Sequence, residues 1–325
     1  MALSSSPPSL MGALEGHGQA GPSLPVGNAE AAALLRRVPF GEALATEGAT
    51  DDLNGYTLVL SLPRLLNELL GNVVAGSVIE ELQLIEAHLL IHLQFLDDDL
   101  DGQSQMGPGD PAVPLHAALQ RLANLFGPDD PFWKDYERLT EEQEWSARWE
   151  RAGRGAPLPS FDDALFRALI AKAALLRWPA SALARLAGRS DARCFLDDVS
   201  GRLIGVVLLF DDLADVEEDA QKGQVNSVLC AGRVAADDGV DFHLQALRGG
   251  GPVCAKAHAE LARVKEAVPN TALARLCDHL AERCTALEGA FAEDRWTRVT
   301  HHIATSLGDA LRAAGAEFQR RTARP

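Results

Sequence analysis

The sequence predicts an all-α fold, a single-domain helical bundle built around one central cavity. Three observations carry that expectation. Apolar residues recur at spacings of three and four, no run of alternating β-branched residues is present, and Gly/Pro clusters punctuate the helical stretches. At 325 residues, 47% hydrophobic and 23% charged, the chain is large enough for one sizeable core. Residues 1–27, rich in Ser, Pro and Gly, lack the basic start and long apolar core of a signal peptide. They read as a disordered tail, and 28–325 as the helical domain.

The elements follow in order. Asn28 caps a first helix of good helix formers. Tyr56 to Leu70 forms a second, in which Pro63 predicts a break or kink. In Glu80 to Asp101, EELQLIEAHLLIHLQFLDDDLD, the residues Leu82, Ile85, Leu89, Leu93 and Leu96 lie at helical spacing, with further apolar residues on the other faces. That helix is buried on most sides and ends in acid. Residues 102–114 are a Gly/Pro loop expected to act as a mobile flap. Leu115 to Phe126 is helical, Gly127-Pro-Asp-Asp-Pro ends it, and Phe132 to about Arg151 follows, carrying Trp133, Tyr136, Trp145 and Trp149. Ser160, Asp162 and Asp163 can cap the helix that bears Lys172. Gly201 to Val228, GRLIGVVLLFDDLADVEEDAQKGQVNSV, starts nearly uncharged after Asp197-Asp198 and then turns acidic. Beyond Gly249-Gly-Gly-Pro, residues 253–292 and 294–320 read as two last helices.

The chemistry lies in the two acidic ends. At about 100° per residue, Asp211, Asp215, Glu218 and Asp219 share one quadrant of a helix, with Asp212 at its edge. Asp97 and Asp101 lie one turn apart on the earlier helix, with Asp98 beside them. Carboxylates gathered this closely repel one another unless a cation sits between them, and hard oxygen ligands suit Mg²⁺. A solvated acidic helix end is the alternative for either stretch alone; two of them together describe a cavity with metal ligands at its mouth.

These stretches resemble the class I isoprenoid synthases, the all-helical superfamily of trans-prenyltransferases, squalene/phytoene synthases and terpene cyclases. Asp97-Asp98-x-x-Asp101 resembles the first aspartate-rich motif of that superfamily, and Phe210-Asp211-Asp212-Leu213-Ala214-Asp215 the second. Asp215-Val-Glu-Glu218-Asp219 with Gly223 is similar to the DxxED…G segment of squalene/phytoene synthases. Ile170-Ala-Lys172 lies where the family carries a diphosphate-binding lysine. The resemblance covers about residues 80–230 and implies the isoprenoid synthase fold. It also implies a cluster of Mg²⁺ ions (three in the family), a prenyl diphosphate substrate and a homodimer. Asp97, Asp98 and Asp101 would hold metal on one wall, and Asp211, Asp212, Asp215 and Asp219 on the other. Lys172, and less directly Lys222 and Arg202, would bind the diphosphate. Phe95 and Phe210, each just before its motif, could turn their π faces to a carbocation, and Trp145, Trp149 and Trp178 could line the pocket. His92 is either a polar pocket residue or a hydrogen-bonded core histidine.

The resemblance also ranks the reactions. A chain-elongating prenyltransferase carries a GGKR-type segment near its N-terminus and an arginine pair after the first motif; here Gly102-Gln-Ser-Gln-Met-Gly-Pro-Gly follows it instead. A one-substrate terpene synthase fits better. However, the NSE sequence is absent, Arg295-Trp296 and Arg298 only stand in for an Arg-Tyr pair, and an aromatic content of 6% is lean for a cyclase. Prenyl transfer or a squalene/phytoene-like condensation is the alternative, and a non-catalytic diphosphate-binding paralogue the second. The net charge of −16 argues against nucleic acid or anionic membrane as a partner. No apolar run reaches the ~20 residues of a membrane span. Five cysteines without a CxxC pair read as free thiols of a cytoplasmic protein.

Overall fold

The computed structural model describes residues 28–46, 54–101, 109–233 and 242–292. The expected N-terminal tail, most of the flap, the 294–320 helix and Arg295 to Arg298 lie outside them. Every regular element among the described residues is a helix, so the fold is all-α. The chain runs through α1 (Asn28–Leu35), α2 (Gly41–Thr46), α3 (Asn54–Leu69), α4 (Gly76–Asp101), α5 (Ala112–Leu125), α6 (Phe132–Gly153) and α7 (Asp163–Lys172). A short 3₁₀ turn, Ala174–Arg177, leads to α8 (Trp178–Leu186), α9 (Arg193–Ala214), α10 (Val216–Lys222), α11 (Ser227–Gly232), α12 (Phe242–Ala267) and α13 (Ala272–Ala292). No described helix is long and apolar enough to cross a membrane.

The most surrounded helix is α9, which packs against α3, α7, α8, α11 and α12. Its Leu196, Val199, Leu203, Leu209 and Leu213 are buried on successive turns, so the apolar run of the sequence becomes the centre of the core. In α4, Leu82, Ile85, Leu89 and Ile91 are fully buried, as its pattern requires, although Leu96 is exposed. Asp162 caps α7 as expected: its Oδ1 accepts from the N–H groups of Ala164 and Leu165, at 2.8 and 3.0 Å.

Four boundaries differ from the sequence reading. Helix α3 runs unbroken through Pro63, because Leu58, Leu62, Leu65 and Leu66 are buried on both sides of it and hold the halves in line. The acidic stretch is not one helix: α9 ends at Ala214, and Asp215 (φ −100°, ψ 7°) breaks it before α10. Residues 253–292 form parts of two helices, divided at Pro269-Asn270 where Asn270 takes φ +66°. Gly249-Gly-Gly-Pro lies inside α12 rather than ahead of it. There α11 crosses so closely that a Cβ on Gly249 would stand 1.8 Å from the Val228 carbonyl oxygen, and one on Gly232 equally near that of Gln245. The glycines serve contact between backbones, not helix termination. Cys230, Cys254, Cys277 and Cys284 are buried free thiols, and Cys194 is exposed.

Candidate active site

Helices α4, α6, α7, α9 and α10 converge on a small cleft of about 60 Å³, room for one or two waters or ions. Six carboxylates line it: Asp97 from the end of α4, Glu150 from α6, Asp211 and Asp212 from α9, Asp215 at the helix break and Asp219 from α10. Lys172 is the one cation among its lining residues, and its Nζ lies 3.6 Å from Asp97 and 3.4 Å from Glu150. Local geometry puts it there. Helix α7 stops at Lys172 because Ala173 leaves helical backbone (φ −117°, ψ 32°), and Gln143 Nε2 donates to the Lys172 carbonyl so exposed.

Electrostatics follow from the crowding. Burial opposes the charge on Lys172, but Glu150, Asp97, Asp211 and Asp212 outweigh it and hold the ammonium well above the usual lysine range. Burial pushes the Asp212 carboxyl up to about 7, against the hydrogen bonds from Ser227 and the attraction of Lys172. Asp215 also rises to about 7, through burial and then repulsion from Asp211, Asp219, Glu218 and Asp212. Asp211 is raised by burial and by Asp97, with Lys172 opposing. Asp211 and Asp215 are exposed, and solvent screening tempers these effects. Two of the acids are held rigidly. Asn226 Nδ2 donates to Asp219 Oδ2 (2.8 Å) and to the Asp212 carbonyl (2.7 Å), and the Ser227 N–H donates to Asp212 Oδ2 (2.8 Å).

Beside the cleft lies a cavity of about 680 Å³ that shares Asp97, Glu150, Lys172 and Asp211 with it. Leu90, Leu93, Leu115, Leu175, Leu176 and Leu208 form one part of its wall, and polar residues of α6, among them Thr140, Gln143, Glu144 and Arg148, another. His92, half-buried, lines it too, with Nδ1 2.9 Å from the Pro111 carbonyl oxygen.

Other expected residues stand elsewhere. Asp98 is buried and accepts from Gln94, away from the cleft. Asp101 closes α4, and its side chain is outside the described residues. Phe95 and Phe210 are core residues and line neither cavity. Phe95 is about 200° round the helix from Asp97, where it packs edge-on against Phe40 at 5.2 Å. Lys222 pairs with Glu218 at 2.6 Å, outside the cleft lining. Arg202 lies about 13 Å along α9 from Asp211 and bonds Asp198 and Glu260. Trp149 lines the cleft, Trp178 is fully buried, and Trp145 stands exposed in a different groove.

The sequence reading missed Glu150, Asn226 and Ser227. A signal for Glu150 existed. Along α6 the stripe Phe132, Tyr136, Leu139 continues at the same spacing through Gln143, Ser146 and Glu150, and a buried face that turns polar marks a site.

Compared with known proteins, the chain matches no family model, no curated protein and no solved structure.

The donors fit a hard cation. All six acids offer oxygen, and one fixed ammonium faces them. Among the described residues no three His, Cys, Asp or Glu side chains converge closely enough to enclose an ion by themselves. Mg²⁺ needs no such cage, since it is bound by one or two carboxylates and completes its shell with water and phosphate.

Proposed function

We propose that the protein is a Mg²⁺-dependent class I terpene synthase that ionises a linear prenyl diphosphate and releases diphosphate. One observation carries this reading: a carboxylate-lined cleft with a single lysine adjoins a cavity with a leucine-rich wall, the two sharing four lining residues. Such a site suits a substrate with a polyanionic head and a long apolar tail. Asp97 on one wall and Asp211, Asp215 and Asp219 on the other would supply the carboxylate ligands, one or two to each metal ion. When bound, Mg²⁺ supplies Lewis-acid neutralisation of the leaving diphosphate.

The chain's own residues do the rest. The cleft is too small for a diphosphate, so the head group sits where cleft and cavity meet, within reach of the Lys172 ammonium. Asn226 and Ser227 fix Asp219 and Asp212, so the α9–α10 wall is preorganised. The leucine side chains of the cavity would pack against the apolar tail.

A second reading, prenyl transfer, gains support from two features. Among the described residues no Phe, Tyr or Trp lines the cavity to face a cation, and Arg148 and Arg151 of α6 do line it, a basic seat for a second anionic substrate that the motifs alone did not supply. The test is to incubate the purified chain and Mg²⁺ with geranyl, farnesyl, geranylgeranyl and geranylfarnesyl diphosphates, with and without isopentenyl diphosphate. A hydrocarbon or alcohol from one diphosphate alone is the expected result. Longer diphosphates formed only with isopentenyl diphosphate establish the second reading. No turnover with any of them refutes both.

A further inference from the structure

A larger groove of about 970 Å³ lies between α6, α7, α9 and α12, and it holds none of the motif carboxylates. Arginine and lysine side chains outnumber carboxylates along it, on a chain whose net charge is −16. Its cations crowd two acids. Glu260, 1% exposed, accepts from Lys256 Nζ (2.8 Å), Arg263 Nη1 (2.9 Å) and Arg202 Nη1. Asp163, whose side chain is 83% exposed, accepts from the same Lys256 Nζ at 2.7 Å and feels Arg263 and Arg167 beside it. Glu260 thus holds three cations, and Lys256 bridges it to Asp163.

We infer that this groove is an anion-binding site for a small molecule carrying linked phosphates, seated on Arg167, Lys256 and Arg263. Those three converge from α7 and α12. Lys256 is fixed over the Phe166 ring, 4.5 Å from its centroid. Arg167 spends only its Nε, on the Asp163 carbonyl at 3.1 Å, and Arg263 only Nη1; among the described residues the other guanidinium N–H groups of both have no partner. Two open guanidinium forks and one ammonium suit the several oxygens of a diphosphate group. Asp163 is the side chain such a ligand would displace: exposed and at the end of α7, it can swing into water without leaving a buried charge. Trp145, on the wall, reports occupancy through its fluorescence.

The test is calorimetric titration of the full-length chain in EDTA with inorganic diphosphate and with ADP, following tryptophan emission in parallel. Without metal the carboxylate cleft repels both anions, so it does not compete. Saturable binding is expected. An ADP affinity no better than that of diphosphate assigns a free anion, and a tighter one assigns a phosphate ester. Arg167→Ala with Arg263→Ala, both on exposed side chains, should weaken binding at least tenfold, and Asp163→Asn should strengthen it severalfold. No saturable binding at millimolar ligand, an unaffected double variant, or unchanged or weaker binding by Asp163→Asn overturns the inference.

Discussion

Glu86 gives the sharpest test of the core. It is fully buried in α4, Trp178 Nε1 donates to its Oε2, and its Oε1 has no partner. Among the described residues no Lys, Arg or His pairs with it. Burial therefore raises its carboxyl well above the normal value, with the Trp178 bond only partly opposing. The direction of the stability effect follows. The folded protein holds this proton at pH values where the unfolded chain has released it, so stability falls as pH rises from about 4.5 towards the folded value. That fall reaches at most about 1.4 kcal/mol per pH unit for one proton, or about 2 °C in Tm per unit for a chain of this size. Glu86→Gln keeps the shape and an acceptor for Trp178 but has no proton to lose. The variant loses about 1–2 kcal/mol at pH 5, where its amide is under-bonded, and converges on or passes the wild type as pH rises. Urea unfolding of both proteins from pH 5 to 8.5, without metal, measures the difference. Asp212 and Asp215 titrate equally in both and cancel. Parallel curves would refute the argument, because they would mean that Glu86 is already ionised in the fold.

Three further outcomes are expected. Lys172→Met removes the cation facing six carboxylates, so the metal-free protein should lose about 2 kcal/mol and gain more Tm from Mg²⁺ than the wild type; an equal gain would show that lysine and metal do not serve the same acids. Asp97→Ala and Asp211→Ala, made separately, should each lower turnover more than 100-fold while circular dichroism and Tm stay near wild type, and a fully active Asp97→Ala enzyme would remove that residue from the site. Gly249→Ala sets a Cβ against the Val228 carbonyl oxygen, so it should cost about 3 kcal/mol, read as a lower urea midpoint, and a neutral result would mean that α11 and α12 are free to separate.

The parts of this fold that were legible share a cause: each is decided within a few residues. The buried character of α4 and α9, the Asp162 cap and the Gly127 to Pro131 break depend on local pattern, and the sequence carries local pattern directly. What misled was decided by partners far along the chain. VEEDAQK is good helix sequence, yet the helix is broken at Asp215, next to a turn where Asn226 and Ser227 hold Asp212 and Asp219 from the far side. Gly249-Gly-Gly-Pro has breaker composition, yet α11 lies against it and uses the bare backbone. The acidic ends of the site were visible by density of charge alone. Lys172 was placed by resemblance, and Glu150 was hidden because a single acid in a charged helix looks like surface until its stripe is followed inward.

That same charge density says why the site asks for a cation. Asp97 stands at the C-terminal end of α4, and Asp211 and Asp212 at that of α9, where each helix already presents the negative pole of its dipole. Neither helix carries a basic residue in its last turn, the ordinary device for relieving that pole. The hydrogen bonds to Asp212 and Asp219 hold two of these acids in place rather than letting them swing into water. A chain selected for stability alone would put lysines at these positions. Leaving six acids to one ammonium is a local conflict that the rest of the fold must outweigh, and conflicts of that kind persist where a ligand resolves them. Because the conflict is electrostatic and fixed in geometry, a divalent cation should raise Tm even with no substrate present, and a monovalent salt at equal ionic strength should do so much less.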